Sequence, residues 1–577
     1  MSVAVIAACL SLVVALAGCS GGGGGSSPAP APKVQLSGTV SAGSAMIARV
    51  SLRDGTGAAR GPVETGPDGT YTFDVEGLTP PFYIKAEGAV TNTSYDLYSV
   101  AATAGTANVN PLTNVIAAAA AGENDPAAGF NSPLTSTVTS SSINSASAAV
   151  TTMLQDLLTS YGASGNPLTT AYAADHTGLD AVMDVVSVEV SSTTGSVTMT
   201  NTMNGAQIAQ AMTTSLATPT VNVSAYPAAA IMGDIQAIQA MFTQLMTALN
   251  KGVTGALTEA DLETFFATTF GLYDGLDRAG NITKWALDFN DWGKTYSKMI
   301  ISVGPVSSGT GSYAVQTWSY FTDGSYYNLW PGGLVVVKDG ANWKFTGNGH
   351  RSYSLIAVET HRWVTATTDT IKSGIDFYMP IIGGQDLETA HITGPGLPPA
   401  GVDMVRASGG GNPYFVFSPP DHPNRAEFYS MTDHLSDAEI EAIPDNSEYT
   451  IVFSDSTASV VDTRVVQIPK RPFTAAEAAS PDIYMTIPGL THAIADANIG
   501  GTFTFTYTKP AAFVTIWMTT ALDSLSGGAG AGSGDFQAPL NVGTISLATT
   551  GTATSAWLML NTTDQYRRSP YLWWEFK

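Results

Sequence analysis

Short segments in which apolar and polar residues alternate, separated by turns rich in glycine and proline, recur along this 577-residue chain. A period of two places apolar side chains on one face, so each such segment predicts a half-buried β-strand. Clear examples are VQLSGTV (34–40), KMIISVGPV (298–306) and NSEYTIVFSD (446–455). The recurring strand pattern excludes a fully disordered chain. The length predicts roughly three to five domains.

Charged residues are scarce and mostly acidic. They make up 12% of the chain, with 47 Asp and Glu against 24 Lys and Arg, which gives a net charge of −23. Soluble domains contain about 25% charged residues. A net-acidic chain without a basic tract has no electrostatic surface for nucleic acid, so no nucleic-acid partner is expected. Only the first 18 residues approach the length of a membrane span, which excludes a polytopic membrane protein.

The first 18 residues form an apolar run that ends in small residues, and they predict a signal peptide over 1–18. The tetrad at 16–19, Leu-Ala-Gly-Cys, resembles the lipobox of bacterial lipoproteins. That resemblance implies lipidation at Cys19 and attachment to the membrane through the lipid. Ser20 then implies the outer membrane or cell surface of a Gram-negative bacterium. A plain secretory signal peptide is the alternative. Residues 19–33, rich in Gly, Ser and Pro, predict a tether.

The two cysteines, Cys9 and Cys19, are both consumed in this interpretation, because one leaves with the signal peptide and the other carries the lipid. The mature chain then has no thiol for a disulfide, a thiolate metal site or a nucleophile. The HExxH, G-x-S-x-G and G-x-G-x-x-G patterns are absent, and no segment has EF-hand spacing. No catalytic residue, metal site or cofactor is therefore assigned.

Patterning divides the mature chain into five parts, and the predicted fold class is multidomain and mainly β. The predicted parts are a β-sandwich (34–90), a mostly helical block (91–225), an α+β cone (226–358) and two further β-sandwiches (359–475 and 476–577).

Three of these parts resemble known families. The D-G-x-Y-x-F turn and strand at 68–73, with G-L-x-P-P at 77–81, resembles the carboxypeptidase-regulatory-like sandwich. Most members of that family act as spacers, and some bind starch or other sugars. Helical patterns at 228–250 and 257–276 precede antiparallel strands. With W-K-x-x-G-N at 343–348 they resemble the nuclear-transport-factor-like cone. The short strands after residue 359 resemble immunoglobulin-like sandwiches.

An aromatic cluster falls within the predicted cone, with ten aromatic residues among the 41 residues from Tyr313 to Tyr353. One interpretation is a filled core. The other is a ligand pocket, because an aromatic face combines apolar area with a polar rim. In the second interpretation the candidate ligand-binding residues are Trp318, Tyr320, Trp330, Trp343, Asn348 and His350.

The expected function is a non-catalytic binding or scaffold role on the cell surface, with a polysaccharide or other extracellular ligand as partner. The alternative is a surface hydrolase acting on an extracellular polymer, with its site in the 226–358 cone. That alternative predicts a deep pocket holding two carboxylates, or His350 beside a carboxylate. A closed cone filled with aromatic side chains would count against it.

Overall fold

A computed structural model describes residues 34–575 of the chain, with internal gaps. The predicted signal peptide, Cys19 and the tether lie outside the described residues, and so do some side chains within strands, including that of Trp318. The internal residues left out are 91, 132–137, 176, 192, 202–206, 212–227, 293, 306–310, 323–325, 328–329, 331–332, 366, 408–412, 418–427, 431–434, 490–501, 525–531, 537–541 and 547–555.

The described part begins with a β-sandwich whose two sheets have the strand orders β4-β1-β7 and β3-β2-β5-β6. Alternate residues of its strands form the core, as the sequence pattern predicts. Strands β6 and β7 lie beyond residue 90. The strands are β1 (Gln35–Thr39), β2 (Ile47–Arg53), β3 (Ala59–Glu64), β4 (Thr70–Asp74), β5 (Phe82–Val90), β6 (Thr93–Ala101) and β7 (Gly105–Thr106).

A helical block follows, and local capping residues mark both ends of its first helix. Asn110 caps the first turn, because its side chain accepts hydrogen bonds from the N–H groups of Leu112 and Thr113. Gly122 ends the helix with a φ of 70°. The elements are α1 (Pro111–Ala121), α2 (Pro126–Asn131), α3 (Ser140–Met153), α4 (Gln155–Ser160), α5 (Gly178–Asp184), β8 (Val186–Ser191), β9 (Ser196–Asn201) and β10 (Gln207–Ala211).

The next unit packs helices against an antiparallel sheet with the order β11-β12-β14-β15. The helix predicted over 257–276 covers only five residues, because Phe265 and Ala267 hydrogen-bond to the backbone of Phe345 instead. A later helix, α8, was not predicted. The elements are α6 (Ala228–Leu249), α7 (Glu259–Glu263), α8 (Arg278–Trp292), β11 (Tyr296–Pro305), β12 (Ser312–Phe321), β13 (Tyr326–Tyr327), β14 (Leu334–Asp339) and β15 (Asn342–Phe345).

The remaining chain is mainly β, with two short helices. The strands to residue 468 are β16 (Leu355–Val364), β17 (Asp369–Tyr378), β18 (Thr389–Thr393), β19 (Val402–Ala407), β20 (Tyr414–Phe417), β21 (Phe428–Ser430), β22 (Ser447–Ser454) and β23 (Val460–Ile468), with α9 (Asp437–Glu441) between β21 and β22. Then come α10 (Ala475–Ala478), β24 (Thr502–Thr506), β25 (Thr515–Ser524), β26 (Gly532–Phe536), β27 (Val542–Ser546), β28 (Ala556–Asp564) and β29 (Arg568–Glu575).

One seven-stranded sheet, with the order β21-β17-β16-β29-β28-β25-β26, joins strands from both predicted C-terminal sandwiches. Its central contact is the parallel pairing of β16 with β29. A second sheet, β20-β19-β18-β22-β23, supplies much of the facing core. The described chain is thus mainly β and contains several domains. The boundary drawn at 475/476 stays a prediction, and this sheet crosses it.

None of the helices in the described part of the chain has both the length and the apolar character needed to cross a membrane.

The central place of β29 gives a stability prediction. The variant Leu572→Pro removes the N–H of a β29 residue that lies between β16 and β28. The buried carbonyl that accepts from this N–H is then unpaired, which costs about 1–3 kcal/mol. Val460→Pro is the control, since Val460 is exposed and begins the edge strand β23. Urea unfolding followed by circular dichroism should show a clear loss of stability in the first variant only. Equal losses in both variants would contradict the central position of β29.

Candidate functional site

Part of the aromatic cluster lies in the core of the α+β unit. Trp343 and Phe345 on β15 are 4% and 1% exposed. The Trp343 ring lies 5.3 Å from that of Tyr313, and the Phe345 ring lies 5.6 Å from that of Phe242 on α6. Both residues belong to one continuous hydrophobic cluster. At these residues the unit is closed and filled, so Trp343 is placed in the core and not beside open space.

Tyr320 on β12 lies at a contact between units. Its hydroxyl donates a hydrogen bond of 2.8 Å to the carbonyl of Pro67 in the first sandwich, and the side chain is buried. Trp318 lies on the same strand, and its side chain is among those that the structure does not describe. The Tyr320 side chain does not line the cleft described next.

The structure brings Trp330, Asn348 and His350 together at one cleft of about 1280 Å³. This cleft lies between the α+β unit, the segment that leads into β16, the strand β23 and the turn between β5 and β6. Its aromatic lining consists of Tyr273, Trp285, Phe289, Trp292, Trp330 and Tyr353.

Helix α8 forms one wall of the cleft. Asn281, Trp285, Asp288 and Trp292 recur at three- and four-residue spacing, which places them on one face of the helix. The Trp285 ring lies 5.0 Å from the Trp330 ring. This spacing was the sequence signal that could have located the wall.

A buried ion pair joins the α+β unit to β23 beside the cleft. Nη1 of Arg464 lies 2.6 Å from Oδ1 of Asp274, and the two side chains are 8% and 12% exposed. Arg464 also donates to the Ser352 carbonyl, and Asn348 donates to Asp274 at 2.9 Å. These additional hydrogen bonds satisfy the pair, which burial otherwise makes costly. No local signal identifies the partners, because they lie 190 positions apart.

His350 makes a second polar contact with β23. Its Nδ1 lies 2.8 Å from Oδ1 of Asp462, and the carboxylate also accepts from the backbone N–H groups of Arg351 and Ser352. Burial by itself raises the pKa of Asp462. The hydrogen bonds from His350 and the backbone together lower this pKa by more than burial raises it, so the pKa lies below the usual 3.8. An ionised carboxylate only accepts, so Nδ1 of His350 is the donor.

Two other histidines form separate pairs. His361 is buried and lies 2.8 Å from Glu359, and Trp573 donates to its Nδ1. His391 pairs with Asp403 at the surface. His350 and His361, which are close in sequence, therefore have different partners. In the described part of the chain no group of three His, Cys, Asp or Glu side chains has the geometry to hold a metal ion.

Several acidic residues near position 440 belong to the short helix α9, which has a capping box. The Ser436 hydroxyl accepts a hydrogen bond from the Glu439 N–H, and the Glu439 carboxylate accepts from the Ser436 N–H, which caps the first turn of α9.

The cleft can hold a ligand by aromatic packing and by hydrogen bonds from amide and carboxylate side chains. A His–Asp pair at its edge adds a proton acceptor oriented by a carboxylate. Nε2 of His350 has no hydrogen-bond partner among the described residues.

No protein-family model matches this chain, and no curated protein sequence is significantly similar to it. The three family resemblances therefore remain predictions.

The buried ion pair gives a second prediction. Arg464→Met leaves the Asp274 carboxylate buried without its cation, which costs about 3–5 kcal/mol. The control is Arg406→Met, because Arg406 pairs with Glu388 at the surface and such pairs contribute about 0–1 kcal/mol. The double variant Arg464→Met with Asp274→Asn should regain part of the loss. Urea unfolding measures the free energy of unfolding of all three variants. Equal losses at Arg464 and Arg406 would contradict the structural role of the buried pair.

Proposed function

We propose that this protein is an exported, lipid-anchored surface protein that binds an extracellular ligand without catalysis, and that the cleft at α8 and β23 is its ligand site. The observation that carries the proposal is the convergence of Trp330, Asn348 and His350 on that cleft. The sequence predicted these three as ligand-binding residues, and they lie together with five further aromatic side chains.

The size and chemistry of the cleft favour a polymer segment over a small metabolite. Its volume of about 1280 Å³ exceeds the range of about 300–1000 Å³ typical of small-molecule pockets. Aromatic rings alternate along α8 with amide and carboxylate side chains, which supplies both apolar area and hydrogen-bonding groups.

Support for the anchor comes from the sequence. Cys19 follows an apolar run and precedes the flexible tether, which separates the folded part from the membrane. In the proposed architecture a carboxypeptidase-regulatory-like sandwich and a helical block precede a nuclear-transport-factor-like cone and two immunoglobulin-like sandwiches. The proposed location is the outer membrane or cell surface.

A specific observation favours a second function, hydrolysis of an extracellular polymer. His350 lies beside a carboxylate, Asp462, at the cleft, which is the arrangement that this alternative predicts. Asp462 would orient the imidazole, and Nε2 would accept a proton from water. Binding is the stronger proposal because no hydroxyl among the described residues hydrogen-bonds to Nε2, and because Trp343 and Phe345 close the interior of the cone.

Anchoring is tested by metabolic labelling with an alkyne fatty acid in a Gram-negative host. The full chain should incorporate the label and sediment with the outer membrane, because Cys19 is the acylated residue. Cys19→Ser should lose the label, and Cys9→Ser, the matched control, should keep it. A processed but unlabelled full chain would instead identify a plain secretory signal peptide.

Ligand binding is tested with the full chain on a glycan array and with a phage-displayed heptapeptide library. Trp292→Ala should weaken the binding of any selected probe by about tenfold, since it removes an aromatic surface from the cleft. Trp363→Ala is the matched control, because Trp363 stacks on His361 away from the cleft. Calorimetric titration gives the affinities.

Two outcomes would contradict the binding proposal. The first is the absence of any selected probe, or equal effects of Trp292→Ala and Trp363→Ala. The second is turnover of chromogenic ester or glycoside substrates that falls at least about 100-fold in His350→Gln, because such a loss is expected of a general base. The second outcome would establish the hydrolase.

A further inference from the structure

The cleft opens onto the outer face of the sheet β20-β19-β18-β22-β23. The inner face of this sheet is buried, and Tyr449 and Ile451 of β22 point into it with no exposed surface. Successive side chains of a strand alternate between the two faces, so the residues between them point outward. Glu448, Val465 and Gln467 belong to this outward set, and they also line the cleft. The cleft and the outward side of the sheet therefore form one continuous surface.

The pairing register extends this surface across the sheet. Paired residues of neighbouring strands point to the same side, so the outward set continues from β22 to β23 in one direction and through β18 and β19 to β20 in the other. We call this set the outer face. It consists mainly of threonine, serine and valine, and none of the following members is buried: Thr393, Thr450, Val452, Ser454, Val460 and Val465.

The outer face carries few charges. Its carboxylates are Asp403 and Glu448, and Asp403 lies 2.7 Å from Nδ1 of His391 on the neighbouring strand. No lysine or arginine occupies an outward-facing paired position on these strands. The solvated face of a sheet normally carries polar and charged residues, yet Val460 and Val465 are 63% and 61% exposed here. An exposed surface with apolar side chains and little charge indicates a binding surface.

The electrostatics of the cleft and of the whole chain disfavour an anionic ligand. Lys284 and Arg464, two of the cations that line the cleft, lie 2.8 Å from Asp288 and 2.6 Å from Asp274 and are neutralised by them. The chain has a net charge of −23. An anionic polymer would therefore be repelled by the protein as a whole and would gain little from these cations.

The composition of the outer face disfavours a protein partner. Binding energy at protein–protein interfaces is concentrated on Trp, Tyr and Arg, and Ser, Thr and Val are under-represented among the residues that supply it. The outer face has the opposite composition. Tyr414, on the edge strand β20, is the one Phe, Tyr or Trp residue at its paired positions.

The outer face is also rigid. Threonine and valine are β-branched, so few side-chain rotamers are accessible to them. Strand β22, which carries Thr450 and Val452, is held by β18 on one side and by β23 on the other. Little conformational freedom is therefore lost when a ligand settles on this surface.

We propose that the ligand of the cleft is a neutral polysaccharide chain that continues from the cleft across the outer face. This inference rests on the proposed binding function and names its ligand class. In the cleft, the half-exposed ring of Trp292 packs against the apolar side of a sugar ring. On the outer face, Thr393 and Thr450 exchange hydrogen bonds with sugar hydroxyl groups, and Val452 and Val465 pack against the rings. A chain that crosses all five strands covers about 19 Å, because neighbouring strands lie about 4.8 Å apart.

The first test measures how the affinity of the full chain depends on the length of the saccharide. The probes are cello-, xylo- and malto-oligosaccharides from the disaccharide to the hexasaccharide, and oligogalacturonates serve as the anionic comparison. In the neutral series that binds, calorimetric titration should give an affinity at least about tenfold higher for the hexasaccharide than for the disaccharide. The reason is that only the longer probe reaches beyond the cleft to the outer face.

A substitution on the outer face tests the same point. Thr450→Glu places a charge in the path of the chain, where a neutral saccharide would bury it without a partner. The affinity for the hexasaccharide should fall about tenfold, to about that of the disaccharide. Thr72→Glu is the matched control and should leave the hexasaccharide affinity unchanged, because Thr72 is an exposed threonine on β4 of the first sandwich.

A further measurement needs no variant. In methyl NMR spectra of the unmodified chain labelled at its valine methyl groups, the signals of Val465 should shift with both the disaccharide and the hexasaccharide, because this residue also lines the cleft. The signals of Val405 and Val452 should shift with the hexasaccharide alone. Val50, in the core of the first sandwich, should shift with neither probe.

The outcomes separate this inference from the function on which it rests. An affinity that does not depend on length, or equal effects of Thr450→Glu and Thr72→Glu, would overturn the extension over the outer face and leave the binding function standing. Tighter binding of oligogalacturonates, no binding of any neutral series, or a selected peptide in place of a saccharide would overturn the neutral polysaccharide. If neither the glycan array nor the peptide library yields a ligand, both proposals fail.

Discussion

The parallel pairing of β16 with β29 is the contact on which the C-terminal half depends. It lets Trp573 donate a side-chain hydrogen bond to His361, 212 positions away, and it places the last described strand in the middle of the seven-stranded sheet. Such a contact forms only after a long loop has closed, so its entropic penalty must be offset by the packing on both sides. Since β29 starts opposite Val358, no described strand pairs with the first residues of β16 on that side, and these residues line the cleft.

Polar contacts fix the α+β unit against the second sheet at this cleft. Asp274 with Arg464 and His350 with Asp462 are short pairs, and each carboxylate takes part in further hydrogen bonds. A purely apolar interface would bury area without specifying direction. Paired buried charges accept few alternative arrangements, because any displacement leaves a charge without a partner. The geometry of the cleft is thereby tied to the geometry of the interface.

Local features were predictable from the sequence, and long-range features were not. Asn110, Thr258 and Ser436 each cap a helix, and such caps can be read from the sequence because capping depends on residues within one turn. The second helix predicted for the α+β unit ends before Phe265, because the backbone of Phe265 hydrogen-bonds to Phe345 on a distant strand. Helix propensity in that segment was overridden by a tertiary contact, and no window of the sequence contains both partners.

The candidate site shows the same contrast between local and long-range features. This contrast explains why only part of the aromatic cluster borders the cleft. Trp343 and Phe345 alternate on one strand, so both enter the core, as period-two reasoning requires. Trp330 lies outside the strands and packs against Trp285 on a helix that was not predicted, which brings it to the cleft. Counting aromatic residues located the region but could not show which of these buried rings also borders the cleft. Trp330 belongs to the same buried cluster as Trp343 and Phe345 and is 5% exposed. What distinguishes it is that its remaining surface borders the cleft, beside Trp285 of α8.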